Sequence, residues 1–243
     1  MHWSDDAIVL GGRRFGESGL ILDTLTATRG RRAGLVYGGA GRRKRAQFEP
    51  GNSVRVNWTG RLEHQLGHFD IAEATCERAA RLLDRPLALS ALASVTALLR
   101  GVLDEGDSGG ASVYAPTLTL LDVLEDDAVW PAVYARWELG LLSALGFGLD
   151  LETCAVSGGN DGLTHVSPRT GRAVRGSQVP DYVERLLALP GFLTDAGAPA
   201  EPRDVVAALE LSGHFLDTRV FAGLNRPIPD ARRRLRDRLA RTA

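Results

Sequence analysis

Cysteine is scarce in this chain, and the two that occur are too few to build a disulfide framework. Cys76 and Cys154 are the only ones among 243 residues. Because small secreted folds rely on several disulfides, this scarcity predicts a reducing compartment in which neither thiol needs a partner. The N-terminal segment also lacks the basic stretch and apolar core of a signal peptide. We therefore expect a cytoplasmic protein.

A hydrophobic run long enough to cross a membrane is also missing. The longest apolar candidate covers residues 86–99, which is 14 residues between Arg85 and Arg100. A spanning helix needs roughly 20 apolar residues, and this run also contains serine and threonine. We interpret it as a buried core helix and expect no membrane partner.

Lysine is almost absent, because Lys44 is the only one among 29 basic residues. An arginine bias of this kind can reflect genome composition, so the clustering of charge is more informative than arginine identity. The formal net charge is −1, but residues 11–61 hold eleven basic and three acidic residues, and residues 218–243 hold eight arginines and two aspartates. The remaining residues carry a net charge of −15. Two basic ends and an acidic middle predict that part of the surface meets a polyanion.

Motifs for catalysis are missing as well. Glycines precede the basic residues of segment 38–45, but there is no G-x-x-x-x-G-K-[ST] and no G-x-G-x-x-G opening a helix, so nucleotide hydrolysis is not predicted. Ser167 lies near His165, yet no G-x-S-x-G elbow or third orienting residue accompanies them. We expect a protein that is not an enzyme and that has no catalytic residue and no cofactor.

Short β-prone runs separated by glycine and charged turns fill the first 75 residues. In one of them, Val54, Val56 and Trp58 alternate with polar residues, which is the pattern of a half-buried strand with Trp58 in the core. Five short strands without a helix-length gap favour a small barrel, either an oligonucleotide-binding (OB) fold or an SH3-like barrel. The predicted strands cover residues 7–10, 20–26, 34–37, 53–58 and 65–71.

Helical periodicity replaces the strand pattern after Cys76, which predicts two domains, residues 1–77 and 78–243. An irregular loop rich in glycine, serine and arginine is expected at about 152–179. The last helix is rich in arginine, and we interpret it as either a solvated terminal helix or a second DNA-contact surface. One predicted helix starts at Pro86. The others cover residues 114–125, 130–145, 181–187, 203–221 and 230–241.

Basic residues of the barrel segment are the candidate DNA-binding side chains. We interpret segment 38–45 as a mobile basic loop whose guanidinium groups pair with phosphates, with a merely solvated turn as the alternative. Arginines at neighbouring predicted strand ends favour a continuous groove. Tyr37 and Phe48 bracket the loop and are the best candidates for stacking on bases among the aromatic residues of the barrel segment. The alternative is that each lies in the core or at the rim of the barrel. The full set is Arg13, Arg14, Arg31, Arg32, Tyr37, Arg42, Arg43, Lys44, Arg45, Phe48 and Arg55.

Two stretches of the chain resemble the RecO family. The N-terminal match follows the family pattern of a first strand, R-x-x-G-E, a second strand, G-R and a glycine-rich basic loop. It comprises residues 7–10, 13–17, 21–22, Thr26, 30–31 and 38–45. The second match resembles the family's R-F-E-L-x-L-L helix, its L-G-Y/F-G-x-D-L loop and a following cysteine, at residues 136–142, residues 145–151 and Cys154. Together they tie both halves of the chain to one family.

The resemblance implies an α+β fold in which a five-stranded OB-fold barrel precedes an α-helical domain, and it decides between the two barrels. It also implies a DNA-binding recombination mediator of the RecF pathway, located in the cytoplasm with the nucleoid, that binds single- and double-stranded DNA and anneals complementary strands. With RecR, such a protein helps to load RecA onto strands coated by single-strand-binding protein. The implied partners are both forms of DNA, RecR, the C-terminal tail of single-strand-binding protein and, indirectly, RecA. The alternative is a non-catalytic scaffold whose barrel binds an acidic protein.

An arginine on the central helix of the family belongs to the pocket that receives the acidic tail. Arg136 matches it, with Trp137 beside it. The alternative is that Arg136 forms an ion pair with a neighbour such as Asp126.

Some members of the family carry a four-cysteine zinc site in the irregular loop, and structural zinc needs C-x-x-C pairs that complete a tetrahedron. This chain keeps Cys154, but Ser157 stands at the matching second position, and Arg175 and Gln178 stand where the second pair would fall. We therefore expect a zinc-finger-like loop without zinc ligands.

Overall fold

The structure is a computed structural model that describes residues 1–62, 65–106, 108–195 and 197–243, without the side chains at positions 42, 43, 72, 73 and 108. Its contacts divide the chain into two compact units, residues 1–127 and 128–243. The helices that directly follow the barrel thus belong to the first unit. The domain boundary at residue 77, which rests on the change of periodicity, stays a prediction.

Five strands form a closed barrel in the order β1-β2-β3-β5-β4, with β4 pairing back to β1. All neighbours are antiparallel except β3 and β5, which are parallel. A five-stranded barrel of this size matches the OB fold, so the predicted fold is confirmed. The strands are β1 (His2–Phe15), β2 (Gly19–Thr26), β3 (Gly30–Val36), β4 (Ser53–Thr59) and β5 (Gly67–Cys76).

Strand β1 is longer than predicted because Gly11 and Gly12 do not end it. A shift of register between Val9 and Gly11 marks a β-bulge, which bends a strand without ending its pairing. A Cβ atom at Gly11 would lie 3.0 Å from the guanidinium of Arg100, so glycine leaves room for that side chain. Beyond the bulge, β1 continues as a ribbon with β2 and carries two arginines to the end of the barrel.

Apolar side chains at alternate strand positions fill the barrel. The rings of Trp3 and Trp58 are stacked with their centroids 5.6 Å apart. Trp58 is only 2% exposed, which confirms its predicted core position. A Cβ atom at Gly67 would lie 2.3 Å from the Trp58 ring, so this glycine is required for the packing. The buried cluster consists of Trp3, Ala7, Val9, Leu22, Val36, Phe48, Val54, Val56, Trp58 and Phe69.

The segment predicted as a basic loop is helical. A glycine-rich turn at residues 38–41 leads into one helical turn, α1 (Arg42–Arg45), and then into a 3₁₀ turn, Ala46–Phe48. The amide of Ala40 donates a hydrogen bond to the carbonyl oxygen of Ser18 at 3.1 Å. This bond fastens the turn to the β1–β2 hairpin, so the basic segment has a defined place beside the barrel end.

The described part of the first unit also contains α2 (Arg78–Arg81), α3 (Pro86–Val102) and α4 (Tyr114–Asp122), with a 3₁₀ turn at Ser108–Val113. Helix α3 starts at Pro86 as predicted, since proline lacks only an N–H that the first turn leaves unpaired. Its buried side chains confirm that it is a core helix. Among the described residues, no helix is long and apolar enough to span a membrane.

The second unit contains α5 (Trp130–Ala144), α6 (Pro202–Phe215) and α7 (Asp230–Ala240), and α6 continues as a π-helical segment, Leu216–Phe221. Its small sheet has the order β7-β6-β8, formed by β6 (His165–Val166), β7 (Ala173–Val174) and β8 (Leu187–Ala188). The helix predicted at 181–187 is instead a 3₁₀ segment, Pro180–Arg185. Two further 3₁₀ turns cover Gly176–Gln178 and Gly191–Leu193.

The sulfur of Cys154 is contacted by the residues that stand at the other three zinc-ligand positions of the family, Ser157, Arg175 and Gln178. The Sγ atom of Cys154 lies 3.5 Å from the side-chain oxygen of Gln178 and accepts a hydrogen bond from the amide of Arg175 at 3.4 Å. Hydrogen bonding from Ser157 lowers the pKa of the Cys154 thiol to about 6. Within the described part of the chain, no cluster of three or more His, Cys, Asp or Glu side chains could hold a metal ion.

Candidate nucleic-acid interface

Four basic side chains at one end of the barrel are exposed to solvent: Arg13, Arg14, Lys44 and Arg45. None of the four forms an ion pair with a side chain that the structure describes. They come from β1 and α1, which the hairpin contact of Ala40 holds next to each other. Unpaired cations of this kind are available to phosphate groups.

The strand pairing divides these residues between two faces of the β1–β2 ribbon. Arg14 pairs with Leu20 in the register, and Arg13 pairs with Ile21. Because successive side chains of a strand point to opposite faces, the two arginines point apart. Arg14 and Arg45 line one cavity, whereas Arg13 lines another. The single continuous basic groove predicted from the sequence is therefore divided.

We call the cavity beside Arg14 the hairpin notch. It has a volume of about 240 Å³, and its charged lining residues are Arg14, Arg45 and Glu49. Its apolar lining includes Leu20, Phe48 and Pro50, while Gly12, Gly39 and Ala40 complete it. A Cβ atom at Gly39 would lie 2.9 Å from Cβ of Leu20 and 3.0 Å from Cβ of Val36, so only glycine fits there without a shift of its neighbours. The notch thus combines an apolar floor with a basic rim.

The cavity beside Arg13 contains a shared ion pair. Its volume is about 340 Å³, and the carboxylate of Asp23 is its central group. Arg31 donates to both oxygens of Asp23, at 2.9 and 2.8 Å, and Nε of Arg100 donates to one of them at 3.2 Å. Arg31 also donates to the carbonyl oxygens of Arg100 and Leu103, at 2.9 and 2.7 Å, at the end of α3.

This arrangement binds the Arg31 guanidinium internally. Burial disfavours its charged form, but the hydrogen bond and the negative charge of Asp23 outweigh burial and raise the pKa of Arg31. Asp23 is 8% exposed, so its charge is neutralised by arginine and not by solvent. Arg31 therefore holds α3 to the barrel and is not free to bind a phosphate.

The other predicted basic residues are found in three situations. Arg32 is 9% exposed and lies inside the first unit, so it is not a surface contact. Arg55 is exposed, but its guanidinium pairs with Asp6 at 2.9 Å. The side chains of Arg42 and Arg43 lie outside the described part of the structure. These placements reduce the described candidate interface to the four unpaired cations.

The two predicted stacking residues differ in exposure. Tyr37 is 69% exposed, and its ring centroid lies 5.9 Å from that of His68. Phe48 is 6% exposed and belongs to the barrel core, so it offers no open ring face for stacking. The 3₁₀ turn that carries Phe48 places its ring in the buried cluster of the barrel. His68 was not predicted as part of the site; β5 places it opposite Leu35 and next to Tyr37.

The second unit holds a separate cavity around Arg136. Its volume is about 1020 Å³, and its walls combine leucines with the carboxylates of Asp150 and Glu152. Arg136 donates from Nε and Nη2 to the carbonyl oxygen of Phe192, at 3.2 and 2.6 Å, and its guanidinium lies 5.7 Å from the centre of the Phe192 ring. Trp137 does not line this cavity and is 5% exposed, so it is a core residue next to Tyr134.

Helix α5 is anchored by a buried ion pair two residues after Arg136. Arg232 of α7 donates to both oxygens of Glu138, at 2.9 and 2.8 Å, and their side chains are 6% and 0% exposed. Burial disfavours the Arg232 charge, but Glu138 outweighs it and raises the pKa of Arg232. Arg232 is therefore internal and belongs neither to a solvated surface nor to a DNA-contact surface of α7.

Comparisons with known proteins agree with this architecture. Residues 1–76 match the family model described as "Recombination protein O N terminal", and residues 83–227 match "Recombination protein O C terminal". The chain is 64% identical over 239 residues to "DNA repair protein RecO" of Hyphomonas neptunium, with 98% of each chain covered. It is 47% identical to the protein of the same name from Rhodospirillum centenum, covering 98% of this chain and 94% of that one. For the Caulobacter vibrioides protein of that name the identity is 43%, covering 99% of this chain and 98% of the relative.

Proposed function

The chain belongs to the RecO family, and from that premise we propose that it is a DNA-binding recombination mediator with a role in DNA repair. We propose that it binds single- and double-stranded DNA, anneals complementary strands and acts in the RecF pathway. Its partners would be RecR, single-strand-binding protein and, indirectly, RecA, and its place the cytoplasm at the nucleoid. The chemistry proposed is binding alone, without a catalytic step or cofactor.

The observation that carries this proposal is the group of unpaired cations at the end of an OB-fold barrel. Arg14, Lys44 and Arg45 are exposed there, and the hairpin contact holds their two elements together. Each cation that neutralises a phosphate releases condensed counterions, which favours binding without reading the base sequence. Neutralising phosphates on two strands also lowers the repulsion between them, which is how we infer that annealing proceeds.

We propose that the Arg136 cavity receives the acidic C-terminal tail of single-strand-binding protein. The guanidinium offers donors to a carboxylate, and the leucine walls suit apolar side chains. Asp150 and Glu152 oppose an acidic ligand, but the hydrogen bond from Thr153 and the Arg172 guanidinium stabilise the Asp150 charge and keep its pKa below the usual range. The negative charge of Asp150 is thus partly neutralised within the unit.

Fluorescence anisotropy with a labelled oligonucleotide at several salt concentrations tests DNA binding. If the four described cations each contact a phosphate, the slope of log K against log salt for a single strand is about −2.8, from ~0.7 per contact. Reversing the charge at Arg14, Lys44 and Arg45 should flatten this slope strongly. The matched control reverses Arg169, Arg185 and Arg203, which are exposed residues of the second unit, and should leave the slope unchanged.

Two outcomes would contradict the proposal. If the control flattens the slope as much as the barrel variant, net charge and not the barrel face governs binding. If the wild-type chain binds no strand at low salt, the scaffold hypothesis remains, in which the barrel binds an acidic protein.

The tail pocket is tested separately with an acidic peptide that ends in an apolar residue. Arg136→Lys keeps the positive charge but loses the planar fork of donors, so we expect weaker peptide binding. Arg169→Lys is the control, because Arg169 is exposed and lies outside the cavity. Equal affinity of the wild type and Arg136→Lys would remove Arg136 from the proposed site.

A further inference from the structure

We propose that the hairpin notch is a nucleobase site that takes one unstacked base from a single strand of DNA. This inference rests on the proposed binding of DNA by the barrel and adds a specific subsite to it. It assigns a role to Phe48, Glu49 and the glycines of the notch, none of which belongs to the phosphate contacts. It also predicts a preference for single strands that charge alone does not provide.

The lining of the notch suits an occupant that is partly apolar. Leu20, Phe48 and Pro50 form its apolar part, and its volume is about 240 Å³. The missing side chain of Gly12 leaves the floor open, since a Cβ atom there would lie 3.1 Å from Cδ1 of Leu20. A base in a duplex has both faces stacked, so only a base from an unpaired strand can enter such a cavity.

The charges of the notch suit a base that is attached to phosphates. Arg14 and Arg45 are exposed, unpaired with any described side chain, and part of the same lining. They would bind the phosphates on either side of the inserted base. Glu49 is a hydrogen-bond acceptor without a described ion-pair partner, and carboxylates accept hydrogen bonds from the exocyclic amino group of cytosine. Thymine has no exocyclic amino group, so we infer a preference for cytosine over thymine.

The experiment compares oligo-dC with a strand of equal length in which abasic sugars replace the bases, both measured by anisotropy at one salt concentration. The wild type should bind oligo-dC about tenfold more tightly than the abasic strand, which is the effect of burying roughly 55 Å² of apolar base surface in the notch. Ala40→Leu adds bulk to the lining of the notch without changing the charge, so the ratio of the two affinities should fall to about one. Ala222→Leu, on the exposed surface of the second unit, should behave like the wild type.

A second measurement does not depend on any substitution. One 2-aminopurine placed within oligo-dC should gain fluorescence when the wild-type chain binds, because the base leaves its stack. Glu49→Gln should reduce the ratio of the affinity for oligo-dC to the affinity for oligo-dT, because the amide is a weaker acceptor than the carboxylate.

The outcomes separate this inference from the function it rests on. Equal affinity of the wild type for oligo-dC and the abasic strand, with no gain of 2-aminopurine fluorescence, overturns the base site while DNA binding stands. An acidic peptide that binds wild type but not Ala40→Leu, in the absence of any base preference, also overturns it. Failure of the wild type to bind either strand overturns the proposed function itself.

Discussion

Replacing Glu138 by glutamine should destabilise the second unit by about 3–5 kcal/mol, because it leaves a buried arginine without its counter-charge. Glu138 is fully buried, and Arg232 is 6% exposed at its side chain. Glutamine has almost the same shape as glutamate, so the cost comes from charge and hydrogen bonding and not from a cavity. Since whole domains are stable by about 5–15 kcal/mol, this loss is a large fraction of the total.

The size of the effect follows from the number of bonds that meet at the pair. The carboxylate of Glu138 accepts two bonds from Arg232, one from the hydroxyl of Tyr134 at 3.0 Å and one from Ser212 at 2.5 Å. Arg232 also donates to the carbonyl oxygen of Leu209 at 2.5 Å. Glutamine turns one acceptor oxygen into a donor that faces other donors, so two of these bonds are lost.

Hydrogen exchange of peptides from residues 130–144 in the full-length chain measures this locally. Protection of α5 should fall by the stated free energy in Glu138→Gln. The double variant Glu138→Met with Arg232→Met should lose less than the sum of the two single changes, because it leaves no uncompensated charge. Arg233→Met is the control: its partner Asp230 is on the surface, so less than about 1 kcal/mol is expected. A cost below about 1 kcal/mol for Glu138→Gln would refute the reasoning.

Three other predictions concern Asp23, Cys154 and Tyr37. Asp23→Asn should destabilise the first unit by about 1.5–3 kcal/mol in urea unfolding, since charged hydrogen bonds from two arginines are lost, and an unchanged unfolding midpoint would contradict this. The pKa of Cys154 is lower in the folded chain, at about 6, than in an unfolded one, so its stabilisation is present above the unfolded pKa and is lost as the pH falls towards 6. Unfolding measured from about pH 6 to 9 should therefore show a rise in stability that Cys154→Ala removes; an equal rise in both proteins would refute the assignment. Tyr37→Ala should weaken binding of a single strand by roughly 1–3 kcal/mol, and Tyr37→Phe should retain it, whereas equal losses in both variants would exclude stacking.

The barrel could be predicted because its signals are local. The alternation of Val54, Val56 and Trp58 indicated one strand correctly, and Pro86 marked the start of α3 at the residue where it begins. Gly11 and Gly12 misled the prediction of β1, because a glycine pair that ends one strand makes a bulge in another. Here the pair makes a bulge, because Gly11 leaves room for the side chain of Arg100. That contact joins distant parts of the chain and cannot be seen in the local sequence.

The candidate site was harder to predict, because a sequence does not show which acidic residues a basic residue meets in the folded chain. Arg31 and Arg14 look alike in the sequence, but only the folded barrel brings Asp23 to Arg31 and leaves Arg14 exposed. In α7, Arg232 belongs to a run of arginines, yet it alone meets the buried Glu138, 94 positions away in the chain. The separation of Arg13 and Arg14 by strand alternation could have been predicted, had the strand been extended past the glycines.

The position of Lys44 has a practical consequence for anyone who wishes to attach a probe to this chain. As the only lysine, and one that is exposed on α1 beside the hairpin notch, it offers a single side-chain amine to acylating reagents. A dye coupled there would lie next to the proposed phosphate contacts of Arg14 and Arg45, so its emission could report the binding of DNA. The same reaction removes one positive charge, so under the proposed function acetylation of Lys44 should weaken DNA binding by the barrel.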